Sequence, residues 1–257
     1  MVMMTELLLY VYVFIFGLCI GSFLNVCIYR LPEGTFLKTH RSECPVCGEM
    51  IHFYDNIPVV SYLLLKGRCR YCNTPISIRY PLVELVTGVV AVSTYMKFGP
   101  SLEALIYFMF IAALIVVIYI DIDHKIIPNV ITLPGIPIGF IASFALTSIT
   151  MEESIIGIIA GGGSLLSVAW VYRMITKRDG MGGGDIKLLA MIGAVIGWKG
   201  VIFTIYSASV AGTLVGLPVI LLKNKNFRLK IPFGPFLSMG AISYIFFGEA
   251  VIRWYLY

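Results

Sequence analysis

Apolar runs, separated by short polar segments, fill most of this sequence. Most of these runs approach the length of about 20 residues that an α-helix needs to cross the hydrocarbon core of a bilayer. We predict eight spans, the second and sixth of them short, at residues 7–29, 81–95, 102–120, 131–146, 155–172, 186–198, 201–222 and 233–247. The predicted fold class is an all-α polytopic membrane protein with about eight transmembrane helices.

Composition agrees with this class. Hydrophobic residues make up 59% of the 257 residues and charged residues only 13%, and the mean hydropathy is +0.92. Such a chain is too apolar for a soluble globular domain. The net charge of +5 comes mostly from basic residues between the spans. It predicts contact with anionic membrane lipids and gives no support for nucleic-acid binding.

Basic residues mark one side of the membrane. Of the 19 Lys and Arg residues, 16 lie in four alternating polar segments, and only Lys97, Lys199 and Arg253 lie at the opposite ends of the spans. Cytoplasmic loops carry the excess of basic residues in membrane proteins. We therefore predict a multi-pass protein of the cytoplasmic (inner) membrane, with both termini outside and the basic segments in the cytoplasm.

The first basic segment, about residues 31–80, carries two Cys-x-x-Cys pairs. Cys44 and Cys47 form the first pair, Cys69 and Cys72 the second, and 21 residues separate the pairs. Four such sulfurs suit tetrahedral Zn²⁺, and disulfides are disfavoured in the reducing cytosol. We predict a cytoplasmic zinc-knuckle loop with a closed structural site. A redox pair and unmetallated thiols are the alternatives.

Two aspartates stand where a polar segment meets an apolar run. Asp121 closes the third span, and Asp185 lies at the start of the sixth. Carboxylates beside the hydrocarbon core are costly, so a pair in equivalent positions indicates shared chemistry, although either one alone could be a solvated helix cap. Asp123 is about 200° around a helix from Asp121, so only one of these two can face Asp185. The predicted chemistry is that of an aspartyl protease.

Three glycines precede Asp185, in the sequence Gly-Gly-Gly-Asp-Ile-Lys at residues 182–187. Residues without a Cβ let another backbone approach closely, which would suit the docking of an extended peptide strand. Gly182 and Gly184 are therefore expected to support substrate binding. A flexible loop is the alternative.

Several longer motifs accompany these residues. The N-terminal part contains, besides the cysteine pairs, GSFLNVCIYRLP at 21–32, YDNIP at 54–58 and RYPLVELVTG at 79–88, and the later part contains DIDHKIIPN at 121–129 and GGGDIK at 182–187. With these motifs the chain resembles, over nearly its whole length, the type IV prepilin peptidases. These are bifunctional leader peptidases and N-methyltransferases of the Gly-x-Gly-Asp class of intramembrane aspartyl proteases.

The resemblance implies a reaction and a set of site residues. Such enzymes cut the basic leader from prepilins or pseudopilins after a glycine at the cytoplasmic membrane face. They then methylate the new N-terminal residue, and they serve type IV pili or protein secretion. On this resemblance Asp121 and Asp185 are the catalytic pair, and Asp123 has a structural or substrate-positioning role. Lys187, two residues after Asp185, is a candidate for binding or supporting the substrate.

The methyl donor, S-adenosylmethionine, is implied by the resemblance alone, since no glycine-rich cofactor motif follows a strand. Candidate residues near it are Glu33, Asp55, Asn56 and Glu84, and the last of these is costly just inside the second span. Each is equally well explained as a helix cap, a salt-bridge partner or a contact for the basic leader.

We divide the chain at residue 97. Residues 1–97 hold the first two spans and the cysteine loop, and residues 98–257 form a membrane-embedded aspartyl peptidase domain. Two other classes stay open, since a transporter can place paired carboxylates beside glycine-rich helices and an assembly protein can dock partners on a zinc loop. The cysteine loop argues against the transporter, and an assembly protein leaves the aspartates unexplained.

Overall fold

The computed structural model describes residues 2–35, 42–177, 182–222 and 232–256. Within these ranges the regular structure is helical, and two isolated β-bridges occur in the cysteine loop. The helices are α1 Val2–Glu33, the 3-10 turn Phe53–Asn56, α2 Val60–Leu64, α3 Arg79–Phe98, α4 Leu102–His124, α5 Asn129–Ala142, α6 Met151–Thr176, α7 Gly183–Leu222 and α8 Gly234–Leu256. The predicted all-α class is confirmed.

The apolar helices account for the predicted spans. Among the described residues, five helices (α1, α3, α4, α6 and α7) are long and apolar enough to cross a membrane, and α5 and α8 are shorter apolar helices. The helix α7 covers two predicted spans. Gly197, with φ of 69° and ψ of 179°, is not helical and divides α7 into two parts. Counting the two parts of α7 separately gives eight apolar helical segments, the predicted number.

In the first compact unit, Met1–Val116, α1 packs along α3 at very short distance. A Cβ on Gly21 of α1 would lie 2.6 Å from the Cα of Glu84 on α3, so only glycine permits this approach. The contact brings Glu84 against the Ser22 side chain. The cysteine loop lies between these two helices in sequence.

In the second unit, Val117–Tyr257, α7 is the central helix and packs against α5, α6 and α8. Its residues Leu188, Leu189 and Ile192 are fully buried. A Cβ on Gly161 of α6 would overlap the carbonyl oxygen of Leu189, so small residues set the spacing of α6 and α7. This packing fixes the position of the first turn of α7.

Candidate active site

Asp121 lies in the last turn of α4 and is only 4% exposed. Its Oδ2 accepts a hydrogen bond of 3.0 Å from the backbone N–H of Gly234, the first residue of α8. The N-terminal N–H groups of a helix have no partner within the helix and attract negative charge. A Cβ on Gly234 would lie 2.6 Å from Oδ2, so this contact requires glycine. The start of α8 is therefore shaped to hold a carboxylate.

Asp185 lies in the first turn of α7 and is partly exposed. Its backbone N–H donates to the carbonyl of Gly182 at 3.2 Å, which opens the helix at this point. The Asp185 carboxyl lies close enough to Asp121 to interact with it electrostatically. The structure thus brings together the two predicted aspartates, each beside the N-terminus of a helix, where negative charge is favoured.

Ile127 connects the elements around the pair. A Cβ on Gly184 would lie 2.9 Å from the Ile127 Cβ, and one on Gly234 would lie 3.2 Å from its Cδ1. The segment after α4 therefore packs against the starts of both α7 and α8. Lys125, with φ of 56°, ends α4 and directs the chain into this segment.

The other predicted residues of this unit have different positions. Asp123 is exposed, in line with its expected place on another face of α4 from Asp121. The Lys187 ammonium donates to the Asn129 side-chain oxygen at 3.0 Å, which ties the start of α5 to α7. Gly182 lies beside Asp185, and its Cβ would be 3.6 Å from Asp185 Oδ2.

Gly234 and Ile127 were not identified as site residues from the sequence. Gly234 stands before Pro235 at the start of the last apolar run, and a proline in the first helical turn marks a helix start. That signal locates the exposed N–H groups of α8. It does not say which carboxylate they meet, because Asp121 is 113 residues away in sequence.

The four loop cysteines form one cluster. Their Sγ atoms all lie within 4.8 Å of one another, and the Sγ atoms of Cys44 and Cys72 are 3.8 Å apart. Sulfurs bound to one tetrahedral zinc at about 2.3 Å are themselves about 3.8 Å apart. The prediction that the two pairs converge is confirmed, and the cluster can hold a metal ion.

Both halves of the cluster have the same backbone design. The N–H of Gly48 donates to the Cys44 carbonyl, and the N–H of Asn73 donates to the Cys69 carbonyl. Gly48 and Asn73 have φ of 72° and 57°, a conformation that glycine and asparagine tolerate best. Each turn therefore presents its two sulfurs on the same side.

The environment of Cys72 favours the thiolate that metals bind. The Thr74 hydroxyl, 3.2 Å from the Cys72 Sγ, and the Thr74 backbone lower the pKa of Cys72 to about 6. Next to the cluster, Nε and one terminal nitrogen of Arg70 donate to the two carboxylate oxygens of Asp55, at 2.8 and 2.5 Å. These bonds hold the pKa of Asp55 below its usual range. This ion pair fixes the second knuckle to the turn that carries Asp55.

A cavity of about 610 Å³ lies in the first unit, between α1, the cysteine loop and the start of α3. Its lining includes all four residues considered for the methyl donor, which are Glu33, Asp55, Asn56 and Glu84. Glu84 is 8% exposed, and its Oε2 accepts the Val59 N–H at 2.8 Å. Val59 has φ of 60°, which is costly for a β-branched residue and is typical of functional sites.

Two family models match the chain. The model of the bacterial peptidase A24 N-terminal domain matches residues 15–98, which include the cysteine cluster and Glu84. The model of the type IV leader peptidase family matches residues 108–217, which include Asp121 and Asp185. The two matches correspond to the two parts in which the cavity and the aspartate pair occur.

Similar proteins match over nearly their full length. A protein of Aeromonas hydrophila is 37% identical, over 95% of this chain and 92% of its own. One of Burkholderia pseudomallei strain 1026b is 38% identical, over 91% of this chain and 84% of its own. One of Pseudomonas aeruginosa is 35% identical, over 93% of this chain and 91% of its own. Each is named prepilin leader peptidase/N-methyltransferase. No solved structure matches the chain. The family matches and the similar proteins show that this chain belongs to the type IV leader peptidase family.

Proposed function

We propose that this protein cuts the leader from prepilins or pseudopilins and then methylates the new N-terminal amine. Asp121 and Asp185 are the catalytic pair in this proposal. The observation that carries it is the buried Asp121 carboxylate, which accepts the N–H of Gly234 and lies within electrostatic range of Asp185. The names of the similar proteins supply the substrate class and the second activity. Product masses from the purified protein, a prepilin-like peptide and S-adenosylmethionine test the proposal.

In the proposed cleavage step the two carboxyl groups share one proton, because two adjacent negative charges are unfavourable. The ionised group takes a proton from water, and the water oxygen attacks the scissile carbonyl. The protonated group donates a hydrogen bond to that carbonyl oxygen. The proton then passes to the leaving amine. The starts of α7 and α8 stabilise the single negative charge on either carboxyl.

The glycines at 182–184 have separate roles in this account. A Cβ on Gly183 would meet nothing within 4 Å, and one on Gly182 would meet Asp185 as its nearest neighbour. These two positions leave space for a peptide backbone beside Asp185. Gly184 packs against Ile127 and so positions the helix start.

Gly234→Ala tests the contact at the start of α8. The added Cβ displaces the Asp121 carboxylate, and a shift of about 1 Å in a reacting group can cost about 100-fold in rate. We expect cleavage to fall by about this factor with the protein still folded. Gly163→Ala is the matched control, since a Cβ on Gly163 meets open space. Normal cleavage by Gly234→Ala would show that this contact does not position the catalytic group.

We propose zinc as the metal of the cysteine cluster and S-adenosylmethionine as the methyl donor. The sulfur spacing fits zinc, and four protein ligands leave no open position, so the ion stabilises the loop and takes no part in the chemistry. The methyl donor binds in the cavity of the first unit, whose volume lies in the usual range for small-molecule sites. The four-cysteine loop forms part of that cavity wall.

The two activities are housed separately in this proposal. Asp185→Ala should fail to cut a prepilin but still methylate a precleaved peptide that begins with Phe. Methyl transfer requires an aligned neutral amine and does not require the aspartate pair. Rates of both reactions, with zinc content as the folding control, measure the separation. If Asp185→Ala also loses methylation while its zinc content stays normal, the pair serves both reactions.

The orientation in the membrane follows from the basic residues and stays a prediction. Ser42 is on the cytoplasmic side in this proposal, and Glu152, at the start of α6, is on the other side. In intact cells a membrane-impermeant thiol reagent should label Glu152→Cys above the level of the parent protein. It should label Ser42→Cys only after lysis. The opposite pattern would place the aspartates outside, away from a cytoplasmic leader.

A further inference from the structure

Glu84 is an acidic group in the first unit that the cleavage step does not use. It lies in the second turn of α3, is 8% exposed, and lines the cavity together with Asn25 of α1. Its described partners are the Val59 N–H and the Ser22 side chain, and neither of them carries a charge. A buried carboxylate without a cationic partner is costly. A cationic group of a ligand would balance it.

The partners of Glu84 hold it in place. Val59 keeps its unfavourable backbone conformation while its N–H points at the carboxylate, and Gly21 allows α1 to press against the Cα of Glu84. Such preorganisation is typical of residues that act on a bound group. On the same cavity wall, Asn25 donates to the Tyr80 carbonyl at 3.0 Å.

We propose that Glu84 is a catalytic residue of methyl transfer, an inference that rests on the proposed function. Its carboxylate binds the new N-terminal ammonium group of the cleaved substrate and accepts its proton. S-adenosylmethionine occupies the remainder of the cavity. The cationic partner of Glu84 is therefore the amine and not the methyl donor.

The direction in which charge moves during methyl transfer favours the amine. Positive charge leaves the sulfonium and develops on the nitrogen as the N–C bond forms. A carboxylate beside the sulfonium would stabilise the ground state more than the transition state and would slow the reaction. A carboxylate beside the nitrogen instead takes the proton that must leave before the amine lone pair can attack, so it assists the reaction at the amine.

The proposed step balances with the donor as the only co-reactant. The ammonium group gives one proton to Glu84, and the amine lone pair then attacks the methyl carbon. The N–C bond forms as the C–S bond breaks. The electron pair of the broken C–S bond stays on sulfur, which becomes a thioether. The product is a secondary ammonium. The proton on Glu84 returns to water when the products leave.

The test uses the full-length enzyme and a precleaved peptide that begins with Phe. Glu84→Gln keeps an oxygen that can accept the Val59 N–H but cannot take a proton, so zinc content should stay normal. We expect methyl transfer to fall by about 100-fold or more, which is usual for loss of a general base. Binding of S-adenosylmethionine, measured by equilibrium dialysis, should not change. Glu6→Gln, an exposed change on α1, should methylate normally.

A second peptide separates proton transfer from a purely structural role. Fluorine atoms on the β-carbon of the N-terminal Phe withdraw electrons and lower the pKa of the amine, so that the amine is already neutral at pH 7. The defect of Glu84→Gln should then become much smaller. Equal defects with both peptides, a wild-type rate for Glu84→Gln, or loss of donor binding would each overturn the proposal.

Two further results would also decide the role of Glu84. If Glu84→Gln does not fold, Glu84→Asp decides, because it keeps the charge but withdraws it by one methylene. Methyl transfer by Glu84→Asp should be slow with the ordinary peptide and faster with the fluorinated one. Equal rates with both peptides would overturn the role of Glu84 as proton acceptor. If the wild-type enzyme methylates neither peptide, the proposed methyltransferase function itself fails.

Discussion

Asp121→Asn and Asp185→Asn should each abolish leader cleavage, with a loss on the order of 1,000-fold or more. Residues that act as a unit fail together, so the double variant should be hardly worse than either single one. Asparagine at position 121 can still accept the Gly234 N–H, so the fold should persist. Initial rates of cleavage of a prepilin-like peptide by purified variants give the measurement.

Asp123→Asn is the matched control for these variants. It makes the same chemical change two residues away, at an exposed side chain, and should lose much less activity. Zinc content should be normal in all three proteins. Robust cleavage by either Asp121→Asn or Asp185→Asn would remove the aspartyl protease mechanism.

Cys44→Ser and Cys72→Ser should each remove most of the bound metal. The wild-type protein should hold one zinc ion per chain, because its four sulfurs converge on a single tetrahedral site. Metal binding free energy is also folding free energy in such loops, so both variants should become sensitive to proteolysis within residues 42–77. Elemental analysis and limited proteolysis measure the two effects.

Cys19→Ser is the control for the cysteine variants, since Cys19 is an exposed residue of α1 outside the cluster. It should keep the full metal content. A chelator should reproduce the proteolysis pattern of Cys44→Ser in the wild-type protein. A fully folded and active protein that contains no metal would contradict the structural zinc site.

Local sequence patterns carried much of the prediction. Apolar runs located the helices, and the short spacing within each cysteine pair fixed the knuckles, because both features depend on neighbouring residues. The proximity of Asp121 and Asp185 also followed from their equivalent positions at helix ends. The transporter and assembly alternatives find no support in the family matches.

Features that depend on distant parts of the chain could not be found in this way. The Gly234 N–H lies against Asp121 only because α8 packs on α7 with its first residue at the end of α4. The cavity beside Glu84 likewise depends on the distance between α1 and α3, which Gly21 sets. Gly197 divides α7 through its backbone angles, while the apolar pattern only placed two adjacent spans there.

The most direct test of the central claim is the mass of the products formed by the purified wild-type protein. It is incubated with a prepilin-like peptide, first alone and then with S-adenosylmethionine. We predict loss of the leader after its glycine in both reactions, and one added methyl group on the new N-terminus only when the donor is present. A peptide that stays intact with folded, zinc-loaded protein would contradict the account.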